Sequence, residues 1–196
     1  MKVDPRRKRR LRRTSGQGLV EFALVASLFF FVVFSIVNAG FFLYARNAVS
    51  YAADVGVAEI AAEGSVSGPP PTGVTPASPG NVDQVAIAYM DLAGLNRIPL
   101  VNVTEIDVWK EIQNSNGTLN DNTTGCGGAC EDRYDINGNI LNSGGTVPWQ
   151  PSSRNTSSAS GPDFARLVIT YKYQLLLNSA TFQMTSSNTF RLEPQS

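Results

Sequence analysis

The sequence predicts an α+β fold, in which a long N-terminal transmembrane helix continues into a small exported domain with a second helix and about three antiparallel strands. Three observations carry this reading. Residues 22 to 45 are 24 consecutive uncharged positions, about 36 Å of helix at about 1.5 Å per residue against about 30 Å of hydrocarbon. A second, shorter stretch repeats apolar residues at helical spacing between an Asn and a Gly. Later segments alternate apolar and polar residues as half-buried strands do.

The first element is framed by charge. Lysine plus arginine equals aspartate plus glutamate at 16 each. Eight of the basic residues nevertheless fall within the first 13 positions, where Asp4 is the one acid. From Gln17 onward there are 8 basic against 15 acidic residues, a net of −7. An acidic body lacks the basic surface that phosphate contacts require, which argues against a nucleic-acid partner. The basic cluster therefore reads as a leader facing the cytoplasm, and the positive-inside rule sends the C-terminal part outward. No A-x-A-like site precedes Arg46, so the apolar run reads as a membrane span rather than as an ordinary cleaved secretory signal.

Beyond the span, Val49, Ala52, Ala53, Gly56 and Ile60 keep a small or apolar stripe at helical spacing, and Gly64 stands where a C-cap belongs. A helix from about Leu19 to Glu63 is predicted. Ser65 to Gly80 carries five prolines and reads as a linker. Asn81 as N-cap, Val82, Val85, Ala86, Tyr89 and Leu92 at helical spacing, and Gly94 predict a second helix over Val82 to Ala93. Leu100 to Ile112 alternates with a change of phase near Thr104 and Glu105, which predicts a strand with a bulge. Leu167 to Leu175 alternates cleanly, and Phe182 to Arg191 is a weaker third strand. Residues 114–162 are polar and rich in Gly, Ser and Asn, a long ordered insertion or a mobile loop.

Chemistry-bearing residues are few. Histidine is absent, which removes Ser-His-Asp and Cys-His nucleophiles, the HExxH zinc site and the commonest general base. No convergent acid pair is readable, although Glu105 and Asp107 share a strand face. The two cysteines, Cys126 and Cys130, have no further soft ligand to complete a zinc site, and outside the cytosol they read as a short-loop disulfide. Asp135-Ile136-Asn137-Gly138-Asn139 places oxygens like the opening of a Ca²⁺ loop. Ile140 stands where the glycine belongs and no Glu follows at the twelfth position, so an Asx-rich turn is expected. Asn102, Asn116, Asn122 and Asn155 begin N-x-[ST] triplets to which no function is assigned. No cofactor is expected.

The junction between leader and span is the informative segment. A cut after Gly16 makes Gln17 the first residue, Glu21 the fifth and Phe22 the sixth. This arrangement resembles the class III signal of the type IV pilin superfamily. The stretch Gly16-Gln17-Gly18-Leu19-Val20-Glu21-Phe22-Ala23-Leu24-Val25, with Phe42 to Ala48 closing the span, more narrowly resembles the TadE-like family of minor pilins or pseudopilins of tight-adherence (Flp) pilus systems. Phe164 to Tyr173 and Phe190-Arg191-Leu192-Glu193 are similar to that family's C-terminal strands. Gly18 offers a second glycine, but cutting there leaves Glu21 third and loses the spacing.

The resemblance implies a pilin-like fold. It covers residues 16 to 63 and 164 to 193 and is silent from Gly64 to Pro162; with the composition of that middle part, the chain divides into a cleaved leader over 1–16, a helix over 17–63, a linker over 64–80 and an extracytoplasmic domain over 81–196 that carries the insertion. It further implies processing at Gly16, Gln17, Glu21 and Phe22 by a prepilin peptidase. Glu21, Gly18, Ala23, Ala26, Ser27, Ala39 and Gly40 are the expected helix-packing residues. The expected partners are the major Flp pilin, other minor pilins, assembly-platform proteins and the lipid bilayer, and no catalysis is expected. The competing expectation is a membrane-anchored extracytoplasmic binding module with an uncleaved span.

Overall fold

The computed structural model describes residues 14–64, 81–157, 161–176 and 180–193. The basic leader up to residue 13 and the Pro-rich linker from residue 65 lie outside the described residues. Two compact units divide the chain at Phe41/Phe42.

In the first unit the described residues are all α1, which spans Thr14–Glu63 and so begins about a turn before the predicted Leu19. From Phe22 to Phe41 it carries no charged side chain. Leu19, Phe22, Leu24, Val25, Leu28 and Phe31 each stand more than half exposed, as a surface meant for lipid or for other helices would. Among the described residues this is one helix long and apolar enough to cross a membrane.

The second unit opens with the outer part of α1. Ala45, Val49, Ala52, Ala53, Gly56 and Ile60 are buried there, the stripe that the spacing predicts. Gly64 ends the helix at φ +56°, donating its N–H to Ile60 O at 2.9 Å, a left-handed closure that only glycine adopts cheaply. Helix α2 spans Val82–Leu92, with the Asn81 side chain accepting from Gln84 N–H at 3.0 Å. Gly56 is where the helices meet, since a Cβ there would lie 2.6 Å from Met90 Sδ.

The sheet is antiparallel throughout. Strand β1 spans Val101–Gln113, β2 Leu119–Asp121, β3 Glu131–Tyr134, β4 Phe164–Gln174 and β5 Thr181–Arg191. The order is β2-β1-β4-β5, with β3 also pairing β1. The register on β4 slips between Val103 and Glu105, which is the predicted bulge. Ala165, Leu167, Ile169, Tyr171 and Tyr173 alternate inward on β4 and join Ile106 and Val108 in the core.

Five strands stand where three were expected. The two additional ones come from the 114–162 segment, which is folded through most of its length. Trp149, Tyr134, Asp132 and Arg154 from it are all buried. Strands of three and four residues with largely polar side chains have no readable period, so they are placed by pairing with β1 rather than by their own pattern. The insertion also covers α2. Gln84 Nε2 donates to Gly138 O at 2.8 Å, and the first two turns are buried on all sides instead of along one stripe.

Candidate processing and assembly site

The predicted processing residues lie in the first two turns of α1. Gly16, Gln17, Gly18, Glu21 and Phe22 are all helical and exposed. Gln17 Nε2 donates to Glu21 Oε1 at 3.1 Å, the i,i+4 contact that a helix face permits. Glu21 therefore has a partner at the residue that would become the new N-terminus. The helix carries no acidic residue in its first turn, and Gly16 and Gly18 have nothing within 4 Å of a Cβ. Two glycines each cost roughly 1 kcal/mol of helix relative to Ala, so this end of α1 is the easiest to unwind.

The predicted packing residues also have room. Ala23, Ala39 and Gly40 are exposed and Ala26 is half-buried, and Gly40, like Gly16 and Gly18, has nothing within 4 Å of a Cβ. Ser27 and Ser35 return their hydroxyls to the helix, donating to Leu24 O at 2.9 Å and Phe31 O at 2.7 Å. They thus satisfy themselves without water, as a polar group in hydrocarbon must.

Two charge clusters lie in the second unit, and sequence reasoning missed both as sites. The first is buried. Arg154 Nη1 donates to Asp83 Oδ1 at 2.7 Å, and Nη2 donates to Asp83 Oδ2 at 2.6 Å and to Asp132 Oδ2 at 3.1 Å. Tyr134 OH donates to Asp83 Oδ2 at 3.0 Å, and Trp149 N–H to Asp132 Oδ1 at 2.8 Å. The Arg154 guanidinium stacks on Trp149 at 4.5 Å from the ring centre. Burial and the facing Asp83 carboxylate push Asp132 up to about 7, against the Trp149 N–H and the Arg154 charge. The Tyr134 hydroxyl is pushed up by burial and by both carboxylates. All three charged side chains are fully buried, so the cluster presents nothing to a ligand. It is a clamp that ties the start of α2 to the insertion.

The second cluster is on the outer sheet face, where Asp107 pairs in register with Arg133 across β1 and β3. Arg133 is bonded to Glu105. Burial, then the Glu105 and Glu131 charges, push Asp107 up to about 7, with Arg133 opposing. The Asp107 and Glu105 carboxylates do converge, which alternation along one strand face alone did not reveal.

The remaining predicted sites resolve simply. Cys126 and Cys130 form a disulfide, with Cα atoms 5.1 Å apart. Asp135 is an Asx turn: Oδ1 accepts Asn137 N–H and Asn139 N–H, each at 2.8 Å, and Oδ2 accepts Asn139 Nδ2 at 2.7 Å. Burial is the largest single influence and raises its carboxyl, but the bonds from Asn139 and Asn137 together outweigh it and hold the group below the usual range.

No curated protein and no solved structure matches the chain. A family model described as TadE-like protein matches residues 16–58, which associates the chain with a tight-adherence pilus system. The match begins at the residue before the predicted cut and ends within the outer part of α1, so the likeness at 164–193 lies beyond it. Residues 16–58, which hold every predicted processing and packing position, are therefore a TadE-like segment.

Proposed function

We propose that the chain is made as a prepilin-like precursor and serves as a minor pilin or pseudopilin in the assembly of a tight-adherence pilus. The observation that supports it is the coincidence of the TadE-like match, which starts at Gly16, with a helix that carries no charge from Phe22 to Ala45 and leaves most of its large apolar side chains exposed there. The N-terminus lies in the cytoplasm, α1 spans the inner membrane, and the sheet domain is extracytoplasmic. A prepilin peptidase cuts between Gly16 and Gln17. That bond lies within helix, so its carbonyl must first give up its i→i+4 hydrogen bond, which the adjacent glycines make cheap.

The function is physical rather than catalytic. The apolar helix is stored in lipid and then transferred into a helix-packed assembly, where helices of the major Flp pilin and other minor pilins replace lipid and platform proteins drive the transfer. Between lipid and helix the hydrophobic gain is small, so close approach decides the outcome. Gly18, Ala23, Ala26, Ala39 and Gly40 supply it.

The test is mass spectrometry of the mature N-terminus, from cells with and without their prepilin peptidase. A chain beginning at Gln17 only when the peptidase is present is the expected result. Residues 1–16 intact in both strains would support the anchored binding module instead.

A further inference from the structure

We propose that the end of the sheet domain where α1 enters it is seated on the outer lipid surface, with Leu176 and Phe182 in the interface and Lys172 on an anionic lipid headgroup. This deepens the membrane reading above and rests on it, because α1 has to span the bilayer for its exit to lie at a lipid surface.

Three contacts order the domain along α1. Glu193 N–H donates to Ala61 O at 2.9 Å, Asn188 is bonded to Asp54, and the Tyr173 ring meets Phe42 edge-on with centres 5.5 Å apart. Tyr173 is paired with Phe182. Followed from Glu193 back to Phe182, the end of the chain therefore tracks α1 back from Ala61 to Phe42, the first residue of the second unit. About 20 residues of helix cross about 30 Å of hydrocarbon. Counted from Phe22 they end at Phe41, and the first charge after them is Arg46. The lipid surface thus falls at Phe42 to Arg46, the level of Tyr173 and Phe182. Leu175 N–H donates to Ala180 O at 3.0 Å, so the hairpin of β4 and β5 goes on one step past that level.

The side chains at this end suit an interface. Phe182, Leu176 and, on α1, Tyr44 each stand about half exposed, and an aromatic residue at the exit of a span is at home among headgroups. Leu100 enters β1 at φ +63°, a left-handed conformation that glycine takes cheaply and leucine does not, and it keeps an apolar side chain on this rim. Charge points the same way. From Gln17 onward the chain is net −7, yet no acid lies between Asp91 and Glu105 or between Asp163 and Glu193. Arg46, Arg97 and Lys172 are exposed and meet an anionic surface without a neighbouring carboxylate in those stretches. Apolar burial and attraction to anionic lipid together are what hold a peripheral segment at a membrane.

Lys172 also borders a cleft of about 320 Å³ with Leu100, Asn102, Gln174 and Thr181. Lys172 is paired with Asn102 across to β1, and Gln174 with Thr181 across to β5. Among the described residues the Lys172 ammonium has neither a hydrogen bond nor an ion pair. An ammonium flanked by amide and hydroxyl donors suits the phosphodiester of a headgroup.

The full chain reconstituted in phosphatidylcholine vesicles tests this. Cys126 and Cys130 are bonded to each other, so a single introduced cysteine can carry a nitrobenzoxadiazole dye, and a nitroxide on the upper acyl chain quenches the dye where it touches lipid. Leu28→Cys reports the span and Ser115→Cys, in the turn after β1, reports water. The dye at Leu176→Cys should be quenched as at Leu28→Cys, and the dye at Ser115→Cys should not. Adding phosphatidylglycerol should raise the quenching at position 176. Lys172→Gln should reverse that gain by shifting the seated fraction about fivefold, the effect of one basic charge at an anionic surface. Quenching at position 28 without quenching at 176 would overturn the proposal and leave the span standing, whereas no quenching at either would refute both. A dye at 176 shielded from water yet unquenched would put protein there instead of lipid and overturn it. So would a gain that Lys172→Gln leaves intact, or one that inorganic phosphate abolishes and chloride of equal ionic strength does not, which would make the cleft a site for soluble phosphate.

Discussion

Arg154 stands between two buried carboxylates, and removing it leaves both without a counter-charge. Arg154→Ala should cost about 3–5 kcal/mol, read as loss of the near-UV signal of Trp149 on thermal melting. Arg154→Met fills the space but not the charge and should be nearly as costly, which separates charge from volume. Asp107 behaves in the opposite sense. Its carboxyl and that of Asp132 titrate near 7 when folded, against an ordinary value near 3.9. Between those limits the folded chain binds more protons than the unfolded one, so this contribution to stability is complete below about pH 4 and is lost as pH rises through 7. Burial raises Glu111 and Glu131 as well and adds in the same direction. The sheet domain should melt higher at pH 5 than at pH 8. Asp107→Asn should flatten that slope and raise stability at pH 8 by on the order of 1–2 kcal/mol; an unchanged slope would exclude Asp107 as its source. At the other end of the chain, a cut after Gly16 gives Gln17 an α-amino group with pKa about 7.7–8.0, four residues from Glu21. Glu21→Ala should leave membrane insertion and processing normal yet impair incorporation into pili, with Glu21→Asp intermediate. Wild-type piliation in Glu21→Ala would reduce Glu21 to a hydrated interfacial carboxylate.

Among the elements, α1 and α2 meet where Gly56 lies against Met90. Gly56→Leu should cost about 1–3 kcal/mol by overpacking, visible as a lower melting temperature, whereas leucine at exposed Gly40 should not. How much of this was legible depended on whether a signal was local. The span, the small-residue stripe, the Asn81 cap and the bulge near Thr104 each lie within a few turns or pleats of their cause, and each was readable. Arg154 and Asp83 are 71 residues apart, and nothing near either names the other. β2 and β3 were hidden for the same reason, since their partner on β1 supplies the order that their own residues lack. Asp107 was placed on the correct face, but its neighbour Glu131 comes from across the sheet, so its raised pKa had no signature in the chain. Gly16, Glu21 and Phe22 were found as a pattern of types at fixed spacing, and the helix adds that Gln17 reaches Glu21.

Across the whole molecule, the 114–162 segment is part of the core rather than an ornament. Trp149 and Tyr134 are among its largest fully buried side chains, and Asp132 and Arg154 fasten it to α2. Replacing 114–162 with a short Gly-Ser turn should therefore abolish the folded domain, measured as loss of near-UV dichroism and of protease resistance while the membrane span persists. A domain that kept its cooperative melt would show that the clamp is dispensable. The clamp also sets an order of events. Synthesis proceeds from the N-terminus, so α2 is complete well before Arg154, 71 residues after Asp83, has been made. Until then Asp83 lacks the guanidinium that makes its burial tolerable, and the domain closes late, when nearly all of its residues are present.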